Sequence, residues 1–306
     1  MSRPLTPYLL LLLGVFAGST AVVMIKTSTM PPAVLASYRL LLAAAILTPL
    51  FWRACRQRPD LAVRGLFVRS APGAAFLGLH FVTWNIGARL TPATNATLVA
   101  NMVPVVMPFI TWLVMREVIT RREVAGSLLS LAGVMVLSLG SMRFDGTSLR
   151  GDAICFVAML MLAFYLIAAR RNRAGAASLW LYIVPLYWIA GVACFAIALA
   201  TPSARPLLAF SSNDYLLLLG LAAGPTVVGH TLLNHAMRHL RGQVVSIFNL
   251  GQFVFAGTLA FALLGEVPHP RFYLASALVV AGGVIVVMRS KPATEAMQKE
   301  AALLEE

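Results

Sequence analysis

Charged residues are scarce in this chain. Asp, Glu, Lys and Arg make up 11% of its 306 residues, whereas hydrophobic residues make up 59%. This composition lies outside the range of soluble globular domains. Apolar runs of about 20 residues, the length that crosses a bilayer core as a helix, follow one another almost without interruption. The sequence therefore predicts an integral membrane protein surrounded by lipid.

Acidic residues are the scarcer charged class, with 11 Asp and Glu against 24 Lys and Arg. All of them lie at the ends of predicted helices, in loops or in tails. Cation antiporters usually hold the proton and the cation on a buried carboxylate, so the sequence argues against proton-coupled export of cationic drugs. If a proton is coupled, the candidates are His80 and His230, because only His titrates unaided near neutral pH.

Cysteine and catalytic motifs are scarce as well. Cys55, Cys155 and Cys194 are an odd number, and two of them lie within predicted spans, so no disulfide framework is expected. No phosphate-binding loop or nucleophile elbow occurs, and His235 with His239 lacks the adjacent Glu of a zinc-protease helix. We expect no cofactor, no metal and no catalytic residue. A membrane-embedded enzyme and a non-transporting scaffold stay open as alternatives.

Ten apolar segments predict an all-α integral membrane fold. The first segment resembles a signal peptide, but it continues through Ile25 and nine more follow, so we expect an uncleaved helix. The segments cover residues 7–24, 33–52, 70–87, 93–115, 124–139, 152–169, 179–200, 215–236, 244–264 and 272–288.

The positive charge follows the predicted loops. With a cytoplasmic N-terminus, 17 Lys and Arg residues fall on the cytoplasmic side and 6 outside, while Arg39 lies within a helix. By the positive-inside rule both termini are cytoplasmic. The net charge of +13 then reflects topology, and we expect no nucleic-acid partner. The expected location is the inner or plasma membrane, and the oligomeric state stays open.

The two halves of the chain resemble one another. His80 and His230 stand 150 residues apart, as do Leu90 and Leu240. A unit of five spans is odd in number, so two copies would be inverted across the membrane, as in many transporters. We expect a first repeat at 1–143, a second at 144–289 and a cytoplasmic tail at 290–306.

Polar residues inside the second, third and eighth spans are candidates for solute contact. Arg39 lies beside Tyr38 in the second span, and a charge there is a functional hypothesis by default, although helix carbonyls are an alternative partner. His80 and Trp84 share one face of the third span. His230 and Asn234 share the equivalent face of the eighth, and a packed, hydrogen-bonded histidine is the alternative to a cavity role.

The fourth and ninth spans supply further candidates. Asn101 precedes Pro104 and Pro108, which remove backbone hydrogen bonds and kink a helix. Asn249 and Gln252 lie three residues apart in the ninth span. The polar positions of these two spans do not superpose at an offset of 150. Such a difference between the halves is what an asymmetric solute would require.

Several spaced residues resemble a known family. Pro104 lies within a span and stands thirteen residues before Glu117, and the next span contains Gly126 and Gly133. Pro32 and Arg39 belong to the second helix, and Gly151-Asp152 opens the second repeat, followed by Tyr165. Across residues 7–289 the pattern resembles the EamA-type transporters of the drug/metabolite transporter superfamily. In the second copy Phe253 replaces the proline before Glu266, so the ninth span lacks that kinking residue.

The resemblance implies a secondary transporter that works by alternating access, with export as the expected direction. Family members move different solutes, so the resemblance does not name the cargo. The polar residues suit a small neutral, zwitterionic or anionic metabolite, with an amino-acid-like solute favoured, near the bilayer midplane. The expected solute-binding residues are Tyr38, Arg39, His80, Trp84, Asn101, Tyr165, His230, Asn234, Asn249 and Gln252.

Overall fold

The fold was obtained as a computed structural model. The regular elements in the part of the chain it describes are all helical. Helices satisfy their own backbone hydrogen bonds, which the interior of a bilayer requires. The structure describes residues 5–91, 96, 99–100, 102–116, 119–138, 146–173, 178–201, 207–240, 242–252, 254–255 and 270–287.

Each helix overlaps one of the predicted apolar segments. The first half contains α1 (Thr6–Thr27, with a turn at Thr20), α2 (Pro32–Arg56), α3 (Val63–Leu90), α4 (Val103–Met115) and α5 (Arg121–Ser138). The second half contains α6 (Gly146–Arg173), α7 (Trp180–Ala200), α8 (Ser212–His239), α9 (Gly242–Leu250) and α10 (Pro270–Val287).

Six helices among the described residues are long and apolar enough to cross a membrane, namely α1, α2, α3, α6, α7 and α8. The all-helical membrane fold is thus confirmed, whereas the count of ten spans and the orientation stay predictions. Two helices begin earlier than predicted, α3 at Val63 and α6 at Gly146. The added turns carry Arg64 and Arg150, whose long side chains can reach water beyond the apolar segment.

Side-chain caps fix where two helices begin. Thr120 and Glu123 form a reciprocal pair at α5, in which Glu123 accepts from the Thr120 backbone N at 2.8 Å and Thr120 accepts from the Glu123 N at 3.2 Å. At α8 the Ser211 hydroxyl accepts from the Asp214 backbone N at 3.1 Å. Both pairs have the spacing of a capping box, which satisfies backbone donors that a helix start leaves free.

Helix packing follows a two-fold pattern. Each helix of the first half has a counterpart five numbers later in the second half, from α1 with α6 to α5 with α10. Replacing each helix by its counterpart, a shift of five, turns the contact α3–α6 into the contact α8–α1, and both contacts are present. The same shift leaves the pairs α2–α7, α4–α9 and α5–α10 unchanged, and all three are in contact. Contacts between the halves therefore dominate the packing, and α1, α3, α6 and α8 are brought together at the centre.

Small residues let α5 and α10 approach closely. A Cβ atom added to Gly126 would lie 2.6 Å from the Gly282 carbonyl oxygen, and one added to Gly133 would lie 2.7 Å from that of Ala275. Side chains of real residues do not approach a backbone oxygen so closely. Glycine at these positions is thus required by the contact, as in other membrane helix pairs with small residues at the interface.

A polar network ties the helices together at one end of the bundle. Asp214, at the start of α8, accepts hydrogen bonds from the Ser28 hydroxyl at 2.8 Å and from the Thr29 backbone N at 2.7 Å. Arg89, near the end of α3, donates to the Ser28 carbonyl at 3.1 Å. The loop between α1 and α2 is therefore bound to both α3 and α8.

The glycine contact between α5 and α10 is testable with two adjacent residues. Gly282→Ala places a methyl group 2.5 Å from the Gly126 oxygen, whereas a Cβ on Gly283 meets nothing within 4 Å. Both changes raise helix propensity equally, so their difference isolates the clash. We expect Gly282→Ala to lower stability by about 1–3 kcal/mol relative to Gly283→Ala, as a lower Tm in detergent. Equal Tm values would contradict the close contact.

Candidate functional site

Polar side chains from both halves meet around one cavity of about 100 Å³. Its walls come from α1, α2, α3, α6, α8 and α9, and from residues just before α4 and just after α9. Six of the ten predicted solute-binding residues line it, namely Arg39, His80, Trp84, His230, Asn249 and Gln252.

The other predicted residues lie elsewhere. The Tyr38 hydroxyl donates to the Leu207 carbonyl at 2.6 Å, and Tyr38 is not among the residues that line the cavity. Asn234 donates to the Tyr165 hydroxyl and, at 2.7 Å, to the His230 carbonyl. Asn234 thus contacts the backbone of His230, the Tyr165 ring lies 5.9 Å from the His230 ring, and neither residue is among those that line the cavity. Asn101 falls outside the described residues, as do Glu117 and Glu266.

Glycines of α1 form one wall. A Cβ on Gly14 would lie 3.1 Å from the Gly229 oxygen, so the helices α1 and α8 pack backbone to backbone. A Cβ on Gly18 would lie 3.0 Å from Gln252 Nε2. The spacing of these glycines indicates close helix contact in the sequence, but it does not indicate that the contact borders a cavity.

The two histidines at equivalent sequence positions come together. Their ring centroids are 6.2 Å apart, and the Phe81 ring lies 4.9 Å from that of His230. His80 Nδ1 donates to the Ala158 carbonyl at 2.9 Å. Because a carbonyl only accepts, a neutral His80 carries its hydrogen on Nδ1 and keeps Nε2 as an acceptor. His230 Nδ1 is buried and has no hydrogen-bond partner among the described residues.

The middle of α8 is not an ordinary helix, contrary to the sequence-based prediction for 215–236. Ala222–His230 is π-helical. Pro225 lacks the N–H that would bond to the Leu221 carbonyl in an α-helix, and the Thr226 hydroxyl donates to that carbonyl at 2.8 Å instead. Short π-helical stretches occur frequently at functional sites. The Gly-Pro dipeptide within the span is the sequence signal for this break.

The same threonine holds Arg39. Arg39 Nε donates to the Thr226 hydroxyl at 3.0 Å, and its Cζ lies 4.1 Å from the centre of the Phe81 ring. The side chain is 1% exposed, and Nη1 has no partner within the described ranges. The Tyr187 hydroxyl donates to the Thr226 carbonyl at 3.1 Å. Sequence reasoning missed Phe81, Thr226 and Tyr187, for which periodicity gives no distinct signal.

Breaks occur in the fourth and ninth predicted spans. Met102 lies in a turn between a helical residue pair at 99–100 and α4, and Gly251 lies in a turn between α9 and Gln252. The Gly251 backbone N donates to the Phe248 carbonyl at 2.9 Å, a tighter turn than that of an α-helix. The ninth span therefore breaks without a proline. Gln252 Nε2 then donates to Asn249 Oδ1 at 2.5 Å.

Comparisons with known proteins agree with this architecture. Two proteins of Archaeoglobus fulgidus, each named an uncharacterized transporter, are similar to the chain. One is 26% identical over 216 residues, covering 71% of this chain and 67% of its own length. The other is 25% identical over 287 residues, covering 89% and 91%. A solved crystal structure superposes with a TM-score of 0.75 and 19% identity, covering 92% of this chain and 97% of its own, which shows likeness of fold alone.

The sequence model of the EamA-like transporter family matches residues 5–139 and again residues 149–288. The two matches together cover most of the chain, and they agree with the apolar helices and with the transporter names of the relatives. The chain belongs to the EamA-like transporter family and is a multi-pass membrane protein.

Proposed function

We propose that this protein is a secondary carrier that binds a small neutral, zwitterionic or anionic metabolite in the central cavity. The observation that carries the proposal is the cavity itself, whose polar lining comes from both halves of the chain. A site between two repeats is where carriers of this kind bind their solutes. The transporter family also favours this function over a membrane-embedded enzyme or a non-transporting scaffold.

The polar lining supports the solute class. None of the described residues that line the cavity is acidic, so a cation finds no counter-ion there. Arg39, His80, Asn249 and Gln252 offer donors and acceptors suited to carboxylate, amide, hydroxyl or ammonium groups. An amino-acid-like solute combines several of these groups, and we expect neither a metal nor a cofactor to take part.

Alternating access is the proposed mechanism, with export as the direction. Two inverted five-span repeats, at 1–143 and 144–289, would let one conformation become its opposite by exchanging the roles of the halves. The shift-by-five pattern of helix contacts supports this division. In the proposed topology both termini and the 290–306 tail are cytoplasmic, in the inner or plasma membrane. In this topology the hydrogen-bond network around Asp214 closes the outer end of the helix bundle.

The solute path is testable by flux in proteoliposomes. The vesicles are loaded with amino acids, nucleobases, sugars and sugar phosphates, and movement of each solute is measured with and without a pH gradient. We expect His80→Ala and His230→Ala each to lower flux of the transported solute about two- to tenfold, because a lost hydrogen bond to a solute costs about 0.5–1.5 kcal/mol. His239→Ala, which removes an exposed histidine of the same helix, is the matched control. Unchanged flux in both cavity variants would exclude these histidines from the path.

Orientation is testable by cysteine labelling in a Cys55→Ser background. Thr27 is the last residue of α1, ahead of the loop that leads into α2, and Gln57 directly follows α2. Both are exposed, and α2 lies between them. We expect an impermeant maleimide to label Thr27→Cys in intact cells and Gln57→Cys only after permeabilisation, because the basic loop after α2 is cytoplasmic by its charge. The reverse pattern would overturn the topology.

The outer closure is testable at Asp214. Asp214→Asn removes charge-assisted hydrogen bonds that hold Ser28 and Thr29, so the outward-open state becomes more populated. A cysteine placed at the cavity-lining Ser19 should then react several-fold faster with an external thiol reagent. Asp60→Asn, in an exposed loop, is the control. Equal rates in the two variants would show that Asp214 does not close the cavity.

A further inference from the structure

We propose that Arg39 is the anion-binding group of the cavity and that the transported solute carries a carboxylate. The inference rests on the proposed function, because it takes the central cavity as the solute site. It narrows the solute from any small polar metabolite to a small organic acid or a zwitterion with a free carboxylate.

The charge of Arg39 is buried without a counter-ion in the described part of the chain. Its side chain is 1% exposed, and the ion pair found among the described residues joins Arg58 to Asp60 in a distant loop. Thr226 and the Phe81 ring are its described partners, and neither is an anion. Burying an uncompensated charge in a span is costly, so the fold alone gives no reason to retain it.

Arg39 lines the cavity and has one unsatisfied donor among the described residues. This donor, Nη1, is buried. The Nε bond to Thr226 and the Phe81 ring fix the plane of the guanidinium. A guanidinium in a fixed plane presents two parallel N–H groups to the two oxygens of a carboxylate. Little conformational entropy is then lost on binding.

A second unpartnered atom lies in the same cavity. His230 Nδ1 is buried and has no partner among the described residues, and His230 lines the cavity with Arg39. The Phe81 ring contacts both residues, at 4.1 Å from Arg39 Cζ and 4.9 Å from the His230 ring. Two unsatisfied polar groups that contact the same aromatic ring indicate a polar ligand that satisfies both.

The charge and size of the cavity suit a small carboxylate. The cavity volume of about 100 Å³ has room for several water-sized groups. The described lining contains no acidic side chain to repel an anion. A carboxylate attached to a short side chain agrees with both, and inorganic phosphate is the competing small anion in the test below.

The first arm of the test needs no knowledge of the solute. We expect Arg39→Met to leave the Tm of the purified, ligand-free protein unchanged or to raise it, because the variant removes a buried charge without a counter-ion. A Tm lower than that of the wild type by ten degrees or more would show that the contacts of Arg39 with Thr226 and Phe81 stabilise the fold by more than its buried charge costs, and it would overturn the proposal. Arg56→Met, at the exposed end of the same helix, controls for loss of one positive charge.

The second arm uses matched acids and amides. The detergent-purified full chain is titrated with lactate and lactamide, with L-alanine and L-alaninamide, and with inorganic phosphate. We expect the carboxylates to raise the Tm, the amides to have no effect at equal concentration, and Arg39→Gln to weaken the carboxylate effect at least tenfold. Arg39→Lys, which keeps the charge and loses the planar fork, should retain part of it. Equal effects of acid and amide, a response to phosphate alone, or no response to any acid would overturn the proposal.

Flux separates this inference from the proposed function. Binding of an acid that depends on Arg39, with no movement of that acid in proteoliposomes, would uphold the anion site and contradict the carrier function. Movement of a neutral solute that persists unchanged in Arg39→Gln would uphold the carrier function and contradict the anion site.

Discussion

Backbone hydrogen bonding without water is the constraint on which the rest of this structure depends. In the interior of a bilayer an unpaired N–H or C=O costs several kcal/mol, so irregular backbone is tolerated only where protein or a cavity supplies partners. The described irregularities within the spans follow this rule. They are the turn at Thr20, the turn at Met102, the π-helix at Ala222–His230 and the turn at Gly251, and the cavity is lined by residues within or next to each of them.

A symmetric scaffold here carries an asymmetric polar lining. The helix contacts obey the shift by five, and the two histidines keep equivalent positions. Arg39, however, corresponds to Ile189 at the offset of 150, and Trp84 corresponds to Asn234. The scaffold symmetry suits two exchangeable conformations, while the lining distinguishes the two ends of a solute. Close packing maintains the symmetric scaffold and leaves the polar lining free to differ between the halves. Glycine contacts such as Gly14 with Gly229 involve backbone atoms rather than polar side chains.

Sequence reasoning predicted what depends on local composition. Apolar length predicted the helices, and equal spacing brought His80 and His230 to one site. It could not show where a distant backbone group binds a polar side chain. Tyr38 is polar within a span, yet its hydroxyl bonds to the carbonyl of Leu207, 169 residues away. Periodicity identifies the polar face of a helix, but it does not tell whether protein or a cavity lies opposite. The π-helix was missed for a related reason, since Pro225 predicts a break and only the fold shows that Thr226 repairs it.

The atom Thr226 Oγ1 links the proposed anion site to the least regular stretch of α8. It donates to the Leu221 carbonyl in place of the N–H that Pro225 lacks, and it accepts from Arg39 Nε. A ligand bound to Arg39 is therefore connected to this stretch through the hydroxyl of Thr226. The π-helix begins near the Asp214 network on the same helix and ends at His230. Thr226 thus lies on α8 between the Asp214 network and His230 of the cavity lining. In the carrier proposed above, a solute shifts the equilibrium between two conformations only if its affinity differs between them, and the Arg39–Thr226 contact is a place where that difference can arise.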